Sequence, residues 1–299
     1  MKNVILLSFA FSIAIITTYA QPFNNESIQE GKSPMLLGKI NKQALSENTY
    51  SEWFLTNYKA YQPDKEKISE IEKLLPQYTI TAFFGSWCGD SKKELPVFYK
   101  VLDEANFPLE RLTVVAVDSD RNFYKQSPGG EQEGLNIHRV PTFIFYKNGQ
   151  EVNRIVEHPV TTFEDDIVQI IQTKAYTPNY NAVTIVNDAL NEMGIQKFQK
   201  KMKKLMPQLK EEAKSLGELN TYSNVLFYSS RKEEAITVAA LNTFLFPKEA
   251  YVYESLANKF YDLNQFDKAL ENYNKALVLK PDNKRVKVSI ESTLEKIND

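Results

Sequence analysis

The chain has 299 residues and one cysteine, Cys88, so no internal disulfide can staple the fold. Its structure must rest on buried apolar surface, and the length suits about two domains at roughly 100–200 residues each. Apolar residues are 42% of the chain and charged residues 25%, ordinary globular values, and 18 Phe with 16 Tyr provide large core side chains. Disorder of the whole chain is excluded on those grounds. With 36 basic and 38 acidic side chains the net charge is −2, which leaves no electrostatic footprint for nucleic acid.

Lys2 precedes an apolar run from Val4 to Ile16, broken only by Ser8 and Ser12, and Thr17-Thr18-Tyr19-Ala20 ends on a small residue. This is the pattern of a secretory signal peptide over residues 1–20. The run falls short of the roughly 20 apolar residues that a membrane-spanning helix needs. No cysteine follows it to carry a lipid. The expectation is an exported protein, periplasmic or secreted, free of the membrane after signal removal. Export sharpens the question of Cys88, because oxidising compartments tend to pair thiols. A lone exported thiol is either buried and inert or kept for its reactivity.

Downstream, the hydrophobic period divides the chain. Residues 21–73 read as an N-terminal extension with helices: Tyr50 to Tyr61 spaces its aromatics helically, and Asp64 caps Glu66 to Leu75. Trp53, Phe54 and Tyr58 at that spacing are core residues. From Tyr78 the period changes. TITAFFG is a β-rich run ending in Gly85, and in the following SWCGDSKKELPVFYKVLDEA the residues Leu95, Phe98, Val101, Leu102 and Ala105 repeat helically. Cys88 therefore sits at a strand-to-helix junction. Leu112 to Asp118 is apolar on both faces, as in a parallel sheet. Ser119 to Asn136 is loop with a short helix, and Val140 to Glu157 forms two strands joined at Asn148-Gly149. Thr162 with Asp165 opens a helix to about Lys174. Residues 74–175 are thus expected to form an α/β domain, a central mixed sheet flanked by helices.

Residues 176–215 read as a helical linker region of two amphipathic helices, in which Lys200, Lys201, Lys203 and Lys204 form a solvated face. In residues 216–299, Ala235 and Ala269 stand 34 residues apart, as do Pro247 and Pro281. In 250–283, Tyr253, Leu256, Ala257, Phe260, Ala269, Tyr273, Ala276 and Pro281 fall on one pattern, which resembles the tetratricopeptide repeat. Residues 216–249 are a degenerate copy, and the segment after Asn283 is the capping helix such arrays require. The resemblance implies an all-α repeat domain with a concave surface for a protein partner.

Trp87-Cys88-Gly89-Asp90-Ser91 follows a buried strand and opens a helix; Ile137 to Thr142 then precedes a strand and a hairpin. Together these resemble the thioredoxin-like family over roughly Leu74 to Lys174, with a CxxS variant of its WCxxC active site. The resemblance implies that Pro141 is cis beside the active cysteine, that the Val140-Pro141 segment receives an extended polypeptide, and that Cys88 is the nucleophile. A thiolate at a helix N-terminus meets free N–H groups and the positive end of the helix dipole, which favour it. Three departures matter. Ser91 replaces the resolving cysteine, where its hydroxyl is expected to hydrogen-bond the thiolate. Ala82 replaces the family's buried aspartate. Asp90 places a negative charge beside the thiol. Monothiol thiol-disulfide chemistry on Cys88 with a protein or small-thiol partner, a sulfenate sensor, and a non-catalytic binding or assembly module all remain open. His138 and His158 read as surface or capping residues. No ligand cluster points to a metal, and no cofactor is expected.

Overall fold

The computed structural model describes residues 23–298, so the expected signal peptide lies outside the described residues. Six strands form one sheet: β1 (Asn25–Ser27), β2 (Met35–Ile40), β3 (Thr79–Phe84), β4 (Leu112–Ala116), β5 (Thr142–Lys147) and β6 (Gln150–Val156). Their order is β1-β2-β4-β3-β5-β6, with β3 and β4 parallel and the other neighbours antiparallel. The central pair explains the run of apolar residues read there. Ile80, Ala82 and Phe84 enter the main core, whereas Phe83 and Val115 enter a smaller cluster with Val117, Ile137 and Val140 on the opposite face. That smaller cluster is the floor of the site described below.

Helices α1 (Lys42–Ser46), α2 (Asn48–Ala60), α3 (Lys65–Leu74), α4 (Gly89–Glu104) and α5 (Phe163–Ile171) complete this domain. The stretch 21–73, expected as a separate extension of helices, contributes strands as well: β2 pairs with β4, Gly38 opposite Ala116, and Phe54 of α2 is fully buried in the main core. Its strand signal is weak because MLLGKI spans six residues and is interrupted by Gly38 at φ +76°. Helix α5 ends at Ile171, short of Lys174, as Thr173 turns into the left-handed region at φ +54°.

Helix α4 contains Pro96, which has no N–H to offer the Lys92 carbonyl one turn earlier. Asn57 of α2 supplies the missing donor, its Nδ2 lying 3.1 Å from that oxygen. The helix that carries Cys88 at its start is thereby tied to α2 in its first half. In the main core, Phe98 packs on Phe143 at 4.2 Å between ring centroids, and Phe143 on Phe163 edge-to-face at 5.3 Å.

The rest is helical. The long segment α6 (Asn181–Glu212) breaks at Gly194 (φ 72°, ψ 162°), giving the two linker helices read from the sequence. The pairs α7 (Leu216–Tyr228) with α8 (Lys232–Leu245) and α9 (Ala250–Asp262) with α10 (Phe266–Leu279) repeat the same start points 34 residues on, and α11 (Lys284–Asn298) closes the stack. Ala257, Ala269 and Ala276 are fully buried between α9 and α10, where only a methyl lets two helix backbones come so near. The protein is therefore a mixed α/β sheet domain followed by an all-helical region.

Candidate functional site

Strand β3 ends at Phe84, and at the next residue, Gly85, a Cβ would lie 2.6 Å from the Trp87 ring; glycine leaves room for the indole to fold back. Trp87 Nε1 donates to the Val117 carbonyl at 2.8 Å, anchoring the loop to the end of β4. Cys88 is the N-cap of α4, with extended backbone (φ −88°, ψ 128°); its N–H donates to Gly85 O at 2.9 Å and its carbonyl accepts from Lys92 N at 3.0 Å. The half-buried thiol donates toward the Val140 carbonyl, Sγ to O 3.4 Å, and lies 3.9 Å from Asp90 Oδ2. The Val140–Pro141 peptide bond is cis.

The fold thus brings Trp87, Cys88, Val140 and Pro141 together, from two segments about 50 residues apart in sequence. Gly89 and Asp90 stand in the first turn of α4, and a Cβ on Gly89 would meet nothing within 4 Å, so packing alone does not demand glycine there. Ser91 departs from its expected role. It is fully buried, and its Oγ accepts the Gly85 N–H at 3.1 Å; the thiol takes its contacts from Asp90 and Val140. The hydroxyl pins the strand-to-helix turn because the helix aims residue 91 back under the strand end.

His138 also differs from its reading as a surface or capping residue. It is buried, its Nδ1 lies 3.2 Å from Asn136 O, and its ring meets Tyr180 and Tyr222 edge-on at 5.9 and 6.2 Å between centroids. Burial, with Lys125, Arg139 and Arg154 nearby, lowers its pKa to about 3, so it is a neutral imidazole. The helical region causes that burial, and no local sequence pattern reports a neighbour supplied from another domain. His158 lies nearer the surface, where its Nδ1 is 3.0 Å from Pro159 O.

Sequence reasoning missed Lys125. It lies in the polar loop between β4 and β5, yet only 4% of it is exposed and its ammonium nitrogen donates to the His138 carbonyl. Burial first, and Arg139 second, lower its pKa to about 7, while Cys88 and Glu157 act in the opposite direction. A lysine in a polar stretch shortly before Pro128, Gly129 and Gly130 carries no signal of burial. Among the described residues, no group of three or more His, Cys, Asp or Glu is placed to hold a metal, and no helix is long and apolar enough to cross a membrane.

Comparison with known proteins fits this geometry. The thioredoxin family model matches residues 65–173, and a TPR repeat model matches residues 257–286. Thioredoxin from Malassezia sympodialis is 35% identical over 74 residues, covering 25% of this chain and 63% of the relative. Mitochondrial thioredoxin-2 from Schizosaccharomyces pombe is 32% identical over 84 residues, covering 28% and 56%. Thioredoxin from Listeria monocytogenes is 26% identical over 89 residues, covering 30% and 78%. The chain spans less than two thirds of the length of the first two relatives. It contains a thioredoxin domain, matched at residues 65–173, followed by helices that include a tetratricopeptide repeat.

Proposed function

We propose that this is an exported thiol-disulfide protein that works through one sulfur. The Cys88 thiolate attacks a disulfide of a client protein or small molecule, one sulfur joins Cys88 in a mixed disulfide and the other leaves as thiolate, and an external thiol then resolves the adduct. The observation that carries this reading is the half-buried Sγ at the N-terminus of α4, 3.4 Å from the Val140 carbonyl, with the hydroxyl of Ser91 sealed beneath the turn. Val140 and Pro141 form the platform on which an extended client segment lies across the thiol. The helical region supports a protein client: α7, α9 and α11 with Arg121 enclose a cleft of about 560 Å³ whose walls carry Asn224, Tyr251, Glu254, Lys259 and Arg285. Such a concave polar surface suits a polypeptide.

The test is trapping in the native compartment. Non-reducing gels of the wild type should show mixed disulfides that vanish in Cys88→Ala and on reduction. An adduct pattern unchanged by Cys88→Ala would refute the proposal. A second reading, a binding module without redox chemistry, draws on Asp90, whose carboxylate 3.9 Å from Sγ disfavours a thiolate, and on buried Ala82 in the place of a carboxylate. It requires Cys88→Ala to retain every partner.

A further inference from the structure

The strand beneath the thiol offers Ala82, which carries no charge, and Asp90, 3.9 Å from Sγ, adds a negative one, so any positive partner for a Cys88 thiolate must come from elsewhere. One buried ionisable amine is tied to the same segment as the thiol: Cys88 Sγ contacts the carbonyl of Val140, and Lys125 Nζ the carbonyl of His138, two residues earlier. Carbonyls two residues apart in a chain are separated by at most about 7 Å. The ring of Tyr124 continues the link, with its centroid 5.0 Å from Lys125 Nζ and 6.4 Å from the Trp87 ring. Charge on Cys88 is felt by both Lys125 and Tyr124.

Resting on the thiol-disulfide reading above, we propose that Lys125 is the counter-ion of the Cys88 thiolate, acting through its charge across the interior and not by direct contact. The thiol gives its proton to solvent and the Lys125 amine takes one up from solvent; thiolate and ammonium then stabilise each other through their charges, with no change in oxidation state. The thiolate is then ready for the client disulfide.

The surroundings suit an amine that gains and loses a proton. Arg139, on the Val140 segment, repels the ammonium, but it is itself paired with Glu157 at the end of β6, at 3.1 Å. His138 stays neutral, and Tyr124 presents a ring face. From the helical region, Arg231 lines the same cavity of about 450 Å³ as Lys125, with Glu133 from the loop itself; Arg231 is paired to Glu234. The ammonium donates to a carbonyl, which accepts its hydrogen bond without the full negative charge that would hold Lys125 permanently protonated. Burial and Arg139 bring its pKa to about 7, where amine and ammonium interconvert with little cost.

Because Cys88 is the chain's one thiol, iodoacetamide alkylation reads it alone. Lys125→Met should slow alkylation at pH 7 by about tenfold, the change that one unit of pKa brings, and Lys125→Arg, a fixed cation, should return the rate to within about threefold of the wild type. Wild-type and Lys125→Met rates that superimpose from pH 5 to 9 would overturn the assignment, and if the wild type still traps mixed disulfides only this assignment falls. A wild type that alkylates no faster than a peptide of residues 85–93 and traps nothing would overturn both. Should Lys125→Met fail to fold, the wild type suffices. The Lys125 Cε resonance, followed by NMR, should titrate about one pH unit lower after Cys88 is carbamidomethylated, since coupled groups stabilise each other reciprocally. An unmoved midpoint would overturn the proposal.

Discussion

Replacing Lys125 by methionine should change stability with opposite sign at low and high pH. Folding lowers the Lys125 pKa from 10.5 to about 7. At 1.36 kcal/mol per unit, an ammonium that is charged in both states costs the folded protein about 5 kcal/mol. The folded value is the depressed one, so this cost is present in full below about pH 7, where both states hold the proton. Between pH 7 and 10.5 the unfolded chain keeps the proton that the folded one has released, and the cost shrinks as pH rises, by about 1.4 kcal/mol per unit. Above 10.5 the cost is gone. Methionine removes it, but leaves the His138 carbonyl without the Lys125 donor at a cost of about 1–2 kcal/mol. Lys125→Met is therefore expected to be about 3 kcal/mol more stable than the wild type at pH 6 and about 1 kcal/mol less stable at pH 10.5. Urea unfolding at a series of pH values, read by tryptophan fluorescence, measures the difference. Curves that stay parallel from pH 6 to 10.5 would show that the buried amine is not held away from its ordinary protonation, and the reasoning from burial would fail.

Asn57→Leu should destabilise the sheet domain by about 1–3 kcal/mol, since the Lys92 carbonyl above Pro96 loses the side-chain donor that replaces the missing helix bond; a urea midpoint equal to the wild type would contradict that. Gly85→Ala puts a methyl 2.6 Å from the Trp87 ring, so the indole should swing out and release Val117 O, seen as a red-shifted tryptophan emission and altered Cys88 alkylation. Ala269→Leu overpacks the fully buried seam of α9 and α10 and should cost at least about 1–3 kcal/mol, melting the C-terminal helices before the sheet domain in a two-probe thermal scan.

How far each feature is legible in the sequence follows from the range over which its signal acts. The 34-residue spacing of Ala235 with Ala269 survives because each repeat makes the same local helix pair, and helix-period patterns need only near neighbours. The Trp87 to Ser91 motif and the hairpin at Asn148-Gly149, with φ of 53° and 77°, are equally local. Strand β2 is hidden, being six residues long with Gly38 inside it, and its membership of the sheet depends on β4 about 75 residues away. Ser91 occupies the expected turn with a different partner. Sequence spacing puts it one turn after Cys88, yet the helix direction sends its oxygen to the Gly85 N–H at the strand end. Lys125 and His138 escape sequence reasoning together. Lys125 stands in a polar loop and His138 between Ile137 and Arg139, and both are buried where that segment meets α7.

The helical region does more than add a surface. Tyr222 of α7 meets the His138 ring; Arg139 Nη2 donates to Gly217 O at 3.3 Å, and Gln126 Nε2 to Tyr228 O at 2.7 Å. Each of these contacts holds the loop or the segment on which the thiol and Lys125 depend. Remove α7 and water reaches the amine, whose lowered pKa comes first from burial. The charge state of a group that feels the charge on Cys88 is then set by how tightly the helical region closes on the thioredoxin domain, which, on the proposed reading, couples client docking on the helices to the reactivity of the thiol. The coupling acts through desolvation of one lysine, so it needs no large movement: a shift that admits a few water molecules to the cavity of about 450 Å³ between Lys125 and Tyr222 is enough to restore the ordinary ammonium.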